Sequence, residues 1–109
     1  MRQIDILGRT YTIEEREKCD DEFMKENDID GYTDFDSAEI VITKKETVFG
    51  KNTTLRHELI HAFLFESGLG FNWEHSTKLG HEETMVDWIA TQWTKIKKVF
   101  VELGCDKDE

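Results

Sequence analysis

The segment 53–66, TTLRHELIHAFLFE, predicts the helix around which the fold is organised. Asn52 and the two threonines after it are residues that commonly cap the N-terminus of a helix. Gly68 suits the C-terminal end, because glycine readily adopts the left-handed conformation found there. Residues four apart lie on the same face of a helix, so His57 and His61 should project side by side.

The pentapeptide 57–61 has the pattern HExxH, which on a helix binds zinc through both histidines and places the glutamate beside metal-bound water. The neighbouring positions are apolar, as a helix buried beside its metal requires: Leu59, Ile60, Ala62 and Phe63. A solvated helix would usually carry charges there. We therefore predict one Zn²⁺ per chain, with His57 and His61 as ligands and Glu58 as the catalytic general base.

A catalytic zinc takes three protein ligands and keeps one position open for water. Glu83 is the preferred third ligand, because it lies 22 residues after His61 and on the same face of the last predicted helix as Val86. The alternatives are His81, Glu82 and His75. Asp87, four residues after Glu83, could accept a hydrogen bond from the second ring nitrogen of a ligand histidine and so fix its orientation.

The remaining patterns predict an α+β fold in a single domain spanning 1–109. A small antiparallel sheet should pack on the HExxH helix and on a long C-terminal helix. The predicted strands are 4–7, a second strand around Tyr11 and Ile13, 31–35 and 38–43, and the predicted helices are 14–26, 53–66 and 81–103. Strand 38–43 is expected to form the wall of the cleft and to offer a free edge to an extended substrate.

The last predicted helix carries an apolar stripe that should pack into the core. The stripe consists of Val86, Ile89, Ala90, Trp93, Ile96, Val99, Phe100 and Leu103. Trp88 falls off this stripe and is expected to be partly exposed.

The charge balance restricts the classes of partner. The chain of 109 residues has 24 Asp and Glu against 14 Lys and Arg, which disfavours nucleic-acid and anionic-membrane surfaces. No apolar run approaches the roughly 20 residues that span a bilayer, and residues 1–5 do not resemble a signal peptide, so a cytoplasmic protein is expected. Cys19 and Cys105 have no CxxC spacing and should be free thiols. The sequence gives no indication of the oligomeric state.

Two motifs together resemble those of known metallopeptidases. Residues 54–63 resemble the extended zincin helix pattern, and Glu83-x-x-x-Asp87 resembles the second motif of gluzincins. The string from Glu83 to Ala90 is also similar to the Glu-x-x-Ala-Asn-x-Phe-Ala segment of ImmA/IrrE-type metallopeptidases, with Val86 and Asp87 in place of Ala and Asn. The resemblance covers roughly residues 38–93. It implies a minimal zincin-like fold and a small metallopeptidase of bacterial or phage origin.

The expected activity is hydrolysis of a peptide bond in a protein or peptide substrate. Enzymes of the gluzincin group usually add a Tyr or His side chain that stabilises the oxyanion; His75 is the first candidate for this role and Tyr32 the second. The alternative function is a catalytically inactive zinc-binding module for protein interaction. A helical structural protein without metal is a third possibility.

Overall fold

The chain folds as an α+β structure, as the sequence predicted. The computed structural model describes residues 1–45, 47–68 and 83–108, except for the side chains of 83–87 and 90. Its strands are β1 (Arg2–Ile6), β2 (Arg9–Arg16), β3 (Gly31–Asp34) and β4 (Glu39–Thr43). Its helices are α1 (Glu22–Asn27), α2 (Val48–Glu66) and α3 (Glu83–Glu102), with a single 3₁₀ turn at Lys18–Asp20. None of the described helices is long and apolar enough to cross a membrane.

The four strands form one mixed sheet in the order β1-β2-β4-β3, so the prediction of a purely antiparallel sheet was wrong. β1 and β2 form an antiparallel hairpin, and so do β3 and β4, but β2 and β4 run parallel. Parallel neighbours need a long connection. Here that connection contains α1 and the whole of β3, which lets the chain return beside β2 in the same direction.

Among the described strands, the edge strand of the sheet next to α2 is β3 and not the strand at 38–43. β4 pairs with β2 on one side and with β3 on the other, which corrects the expectation of a free edge there. The three central residues of β4, at 40–42, are fully buried. A continuous apolar run of this kind is typical of a strand covered on both faces.

The surface helix predicted at 14–26 was also wrong in its first half. β2 continues to Arg16 because its last residues pair with β4, and α1 begins only at Glu22. Asp21 caps α1 by accepting a hydrogen bond from the Met24 amide, at 2.9 Å. The same carboxylate accepts a hydrogen bond from Arg16 at 2.7 Å, which ties the end of β2 to the start of α1.

Helix α2 packs on one face of the sheet and begins at Val48 instead of Thr53. Thr47 caps it by accepting a hydrogen bond from the amide of Gly50. Asn52, expected near the cap, is instead buried inside the helix and donates to the carbonyl oxygen of Lys107 at 2.9 Å. The core between the sheet and the helices includes Ile6, Tyr11, Ile40, Ile42, Leu55, Leu59, Phe63, Ile96, Val99 and Phe100.

Of the described side chains in the apolar stripe on α3, only those in its second half lie in the core. Ile96, Val99, Phe100 and Leu103 are buried as predicted. Ile89 and Trp93 are 48% and 49% exposed, which corrects their assignment to the core. Trp88 is half-buried against the core and donates from Nε1 to Ser67 Oγ, just after the end of α2. The side chains of Val86 and Ala90 lie outside the described part.

The two cysteines are free thiols, as expected. Cys19 is exposed near the 3₁₀ turn and Cys105 is buried after α3.

Candidate metal centre

The two histidines of α2 converge on a common point. Their Nε2 atoms lie 3.1 Å apart, and their ring centroids are 4.7 Å apart at an angle of 70°. Two nitrogen ligands at about 2.0–2.1 Å from a tetrahedral zinc lie about 3.3 Å from each other. The observed spacing therefore suits one shared ion. Both residues are exposed, so an ion bound between them would be accessible to water.

The pKa of His61 also suits metal binding. Burial lowers the pKa of His61; the charge of Glu58 opposes this shift and the neighbouring His57 reinforces it. A lowered pKa favours the neutral imidazole, which is the form that binds a metal. A neutral imidazole carries only one N–H, so two Nε2 atoms at contact distance require a proton or a cation between them.

Glu58 is held by a residue that the sequence did not indicate. The side chain is only 7% exposed, and its Oε1 accepts a hydrogen bond from Thr33 Oγ1 at 2.9 Å. Thr33 lies in the middle of β3, 25 residues earlier in the chain. Thr33 pairs with Ile40, and this pairing places the Thr33 side chain on the face of the sheet that α2 covers. Sequence reasoning could have found Thr33 only with knowledge of the β3–β4 register.

Strand β3 runs closely alongside α2, and a glycine makes this approach possible. A Cβ atom at Gly31 would lie 2.9 Å from Thr54 Cγ2 and 3.1 Å from the carbonyl oxygen of Val41. At the other end of the strand, Phe35 stacks on Phe65 of α2 with centroids 4.4 Å apart. The strand therefore follows the helix along the same turns that carry the histidines and the glutamate.

A cavity of about 380 Å³ opens beside His57 and Glu58, and Asp28 and Asp30 also line it. Both aspartates are paired with lysine. Asp30 lies 2.7 Å from Lys45 Nζ, and Lys18 Nζ lies 3.0 Å from Asp28 and 3.3 Å from Asp30. Their charge is thus compensated, and we do not assign them as metal ligands.

The predicted third ligand and its alternatives lie where the structure describes no side chain. This holds for Glu83 and Asp87 in α3, and the whole of His75, His81 and Glu82 lies outside the described residues. Among the described residues, no group of three His, Cys, Asp or Glu side chains forms a metal site. These assignments therefore stay predictions.

One contact bears on the position of α3. Trp88 bonds to Ser67, and Ser67 follows His61 by six residues, or about 9 Å along the helix. The contact by itself does not bring Glu83 to the histidine pair. The alternatives at 75, 81 and 82 consequently stay open beside it.

Tyr32 is not an oxyanion donor for this centre, which corrects the second candidate. Its hydroxyl donates to Asp21 at 2.8 Å and accepts from Arg16 at 3.3 Å. Burial and the bond to Asp21 raise the pKa of Tyr32 to about 12. As the neighbour of Thr33 in a strand, Tyr32 projects to the opposite face of the sheet, where it packs against Phe23. His75, the first candidate, lies outside the described residues.

Two clamps hold α2 in place. At its N-terminal half, Arg56 donates to both carboxylate oxygens of Asp108 and to the carbonyl oxygen of Cys105. At its C-terminal end, Glu66 accepts from Tyr11 Oη at 2.6 Å and from Arg9 at 3.0 Å. The turns that carry the histidines lie between these fixed points, so the geometry of the pair is set by the whole domain.

Comparison of the chain with protein-family models, with curated proteins and with solved structures found no match. The assignment of function therefore depends on the residues of the centre themselves.

Proposed function

We propose that this protein is a zinc-dependent metallopeptidase that hydrolyses a peptide bond in a protein or peptide substrate. The observation that supports it most directly is the 3.1 Å separation of the Nε2 atoms of His57 and His61, with the buried Glu58 between them in sequence. Two imidazoles converging beside one carboxylate are the arrangement that metal-assisted hydrolysis needs. Two imidazoles and a carboxylate with water also favour zinc over other divalent ions.

In the proposed reaction, His57 and His61 would hold the ion together with a third ligand, for which Glu83 is preferred. When bound, zinc would supply Lewis acidity and lower the pKa of a water to about 7. Glu58 would accept a proton from the attacking water and deliver it to the amide nitrogen as the C–N bond breaks. Thr33 keeps the Glu58 carboxylate oriented through the hydrogen bond to Oε1.

The test combines metal content with hydrolysis. Glu58→Gln is expected to retain stoichiometric zinc but to lose peptide hydrolysis by at least a hundredfold, because the general base is removed while both histidine ligands remain. His61→Ala is expected to lose zinc and activity together. Hydrolysis that persists in Glu58→Gln would overturn the proposal.

The same measurements address the third ligand and the alternative function. Replacing Glu83 by Gln, and in parallel His75, His81 or Glu82, should identify the ligand as the position at which zinc affinity falls by at least tenfold. Stoichiometric zinc in the unmodified protein, without cleavage of any peptide in a diverse library, would instead support a zinc-binding interaction module.

A further inference from the structure

Among the described strands, β4 alone pairs with β3, so the outer edge of β3 beside the candidate centre carries backbone groups that no described strand binds. The Thr43 amide donates to the Asp30 carbonyl oxygen at 2.8 Å. This bond determines which residues of β3 form hydrogen bonds with β4, because every second residue of an antiparallel strand does so. Backbone groups alternate in direction along a strand, so Tyr32 and Asp34 bond to β4. The amides and carbonyls of Gly31 and Thr33 consequently point away from the sheet, where an added strand would pair with them.

A groove of about 620 Å³ follows this edge. Its described lining includes aromatic side chains from both faces of the sheet, with Phe23 and Tyr32 on one side and Phe35 and Phe65 on the other. Thr33, which also lines the groove, is the residue that bonds Glu58. Thr33 therefore connects the groove to the proposed catalytic base through one hydrogen bond, and the groove is large enough for a bulky side chain.

The charge of the groove is negative. Asp34 and Asp36 line it, and no lysine, arginine or histidine does so among the described residues. Neither aspartate has an ion pair within the described part of the chain. The nearby guanidinium of Arg9 is bound to Glu66 and to the Asp36 carbonyl oxygen, both at 3.0 Å. A basic side chain of a ligand could form ion pairs with Asp34 and Asp36.

We propose that the groove along the outer edge of β3 is the substrate-recognition site, and that it binds an extended peptide carrying an aromatic side chain with a lysine or arginine within two residues of it. Strand addition supplies main-chain hydrogen bonds, and the side-chain pockets supply specificity. The identity of the ligand as a substrate rests on the proposed peptidase function, whereas the binding itself is measured separately.

The experiment uses the zinc-loaded full chain with Glu58→Gln, so that peptides bind without being cleaved. Fluorescence anisotropy measures the affinity for a library of labelled decapeptides with Phe-x-Lys fixed at the centre and the other positions randomised. The best binders are then remade with Phe→Ala or Lys→Glu. We expect the alanine peptides to bind at least tenfold more weakly, and the glutamate peptides at least threefold more weakly at low salt, with the second difference shrinking at high ionic strength.

Two protein variants, made in the same background, locate the binding. Phe35→Ala should weaken the Phe-x-Lys peptides at least fivefold, whereas Phe49→Ala should not, since Phe49 is 64% exposed and does not line the groove. Asp36→Asn should reduce only the preference for lysine, with Asp106→Asn as the control for net charge. The comparison of peptides uses the Glu58→Gln protein without any groove substitution. The proposal therefore remains testable even if Phe35→Ala fails to fold.

Equal affinities for the Phe and Ala peptides, or no binding by any library member, would overturn the proposal. Failure of the peptidase proposal has a different signature, namely retained selective binding with no hydrolysis by the zinc-loaded unmodified chain. Hydrolysis without any preference for aromatic and basic residues would leave the catalytic proposal standing and refute the groove.

Discussion

Replacement of Thr33 by valine should lower the catalytic rate without affecting the metal. The substitution keeps the β-branched shape but removes the hydroxyl that donates to Glu58 Oε1 at 2.9 Å. Hydrogen bonds to charged groups contribute about 1.5–3 kcal/mol. We take the lower end, about 1.5 kcal/mol, because the strand is only partly buried, and this corresponds to about a tenfold fall in kcat.

The expected split between the kinetic constants distinguishes orientation of the base from a general structural effect. Thr33→Val should reduce kcat about tenfold and leave KM within about twofold, since valine keeps the shape of the side chain that lines the groove and loses only the hydroxyl that binds Glu58. Zinc content, measured by elemental analysis, should not change. Thr33→Ser retains the hydroxyl and serves as the matched control.

Two results would contradict the proposed role of the Thr33 hydroxyl. If Thr33→Val kept the unmodified kcat, the hydrogen bond would have no part in positioning the base. If Thr33→Ser lost as much activity as Thr33→Val, the effect would come from packing of β3 and not from the hydroxyl. Thermal unfolding of both variants checks that the fold is retained.

Three further predictions concern stability. Gly31→Ala should lower the free energy of unfolding in urea by about 1–3 kcal/mol, because the added Cβ would lie 2.9 Å from a side-chain atom of α2. An unchanged urea midpoint would mean that β3 can move away from the helix. Arg56→Met should lower the free energy of unfolding by about 1–2 kcal/mol, because it removes the hydrogen bonds to Asp108 and to the carbonyl oxygen of Cys105. Proteases should then remove residues 105–108 faster than in the unmodified protein. Equal rates of proteolysis would show that Arg56 does not hold this segment in place. Burial raises the pKa of Asp21, but its hydrogen bonds to Met24, Arg16 and a tyrosine lower the pKa by more. The stability that ionised Asp21 contributes is therefore complete above the ordinary aspartate pKa of about 4 and is lost as the pH falls through the lowered value. Asp21→Asn should reduce the loss of unfolding free energy between neutral and acid pH. An unchanged pH dependence would mean that other carboxylates cause this loss.

The sequence identified those parts of the candidate site that depend on local spacing. The facing of His57 and His61 follows from a four-residue step in one helix, and the burial of Ile96, Val99 and Phe100 follows from helical periodicity as well. The first statement needs no knowledge of the rest of the fold. The second does, because the same periodicity was wrong at Ile89 and Trp93, which are about half exposed.

The errors arose where distant segments decide the structure. Residues 14–16 are charged and have no strong strand signal, yet they are extended because β4 pairs with them. Thr33 bonds Glu58 only because the β3–β4 register puts it on the α2 face, and no spacing within the chain encodes that register. The uninterrupted run Ile40-Val41-Ile42 did carry a usable signal, since it indicates a central strand and would have assigned the free edge to β3.

Strand β3 links the proposed catalytic base to the proposed substrate site. Its Thr33 side chain bonds Glu58, while the backbone of the same residue faces the free edge. A peptide that pairs with this edge therefore passes the residue that orients the base, so binding and positioning depend on one short strand. A strand of four residues offers few outward backbone groups. Selectivity in so small a domain must then come mainly from the aromatic and acidic side chains that flank the edge.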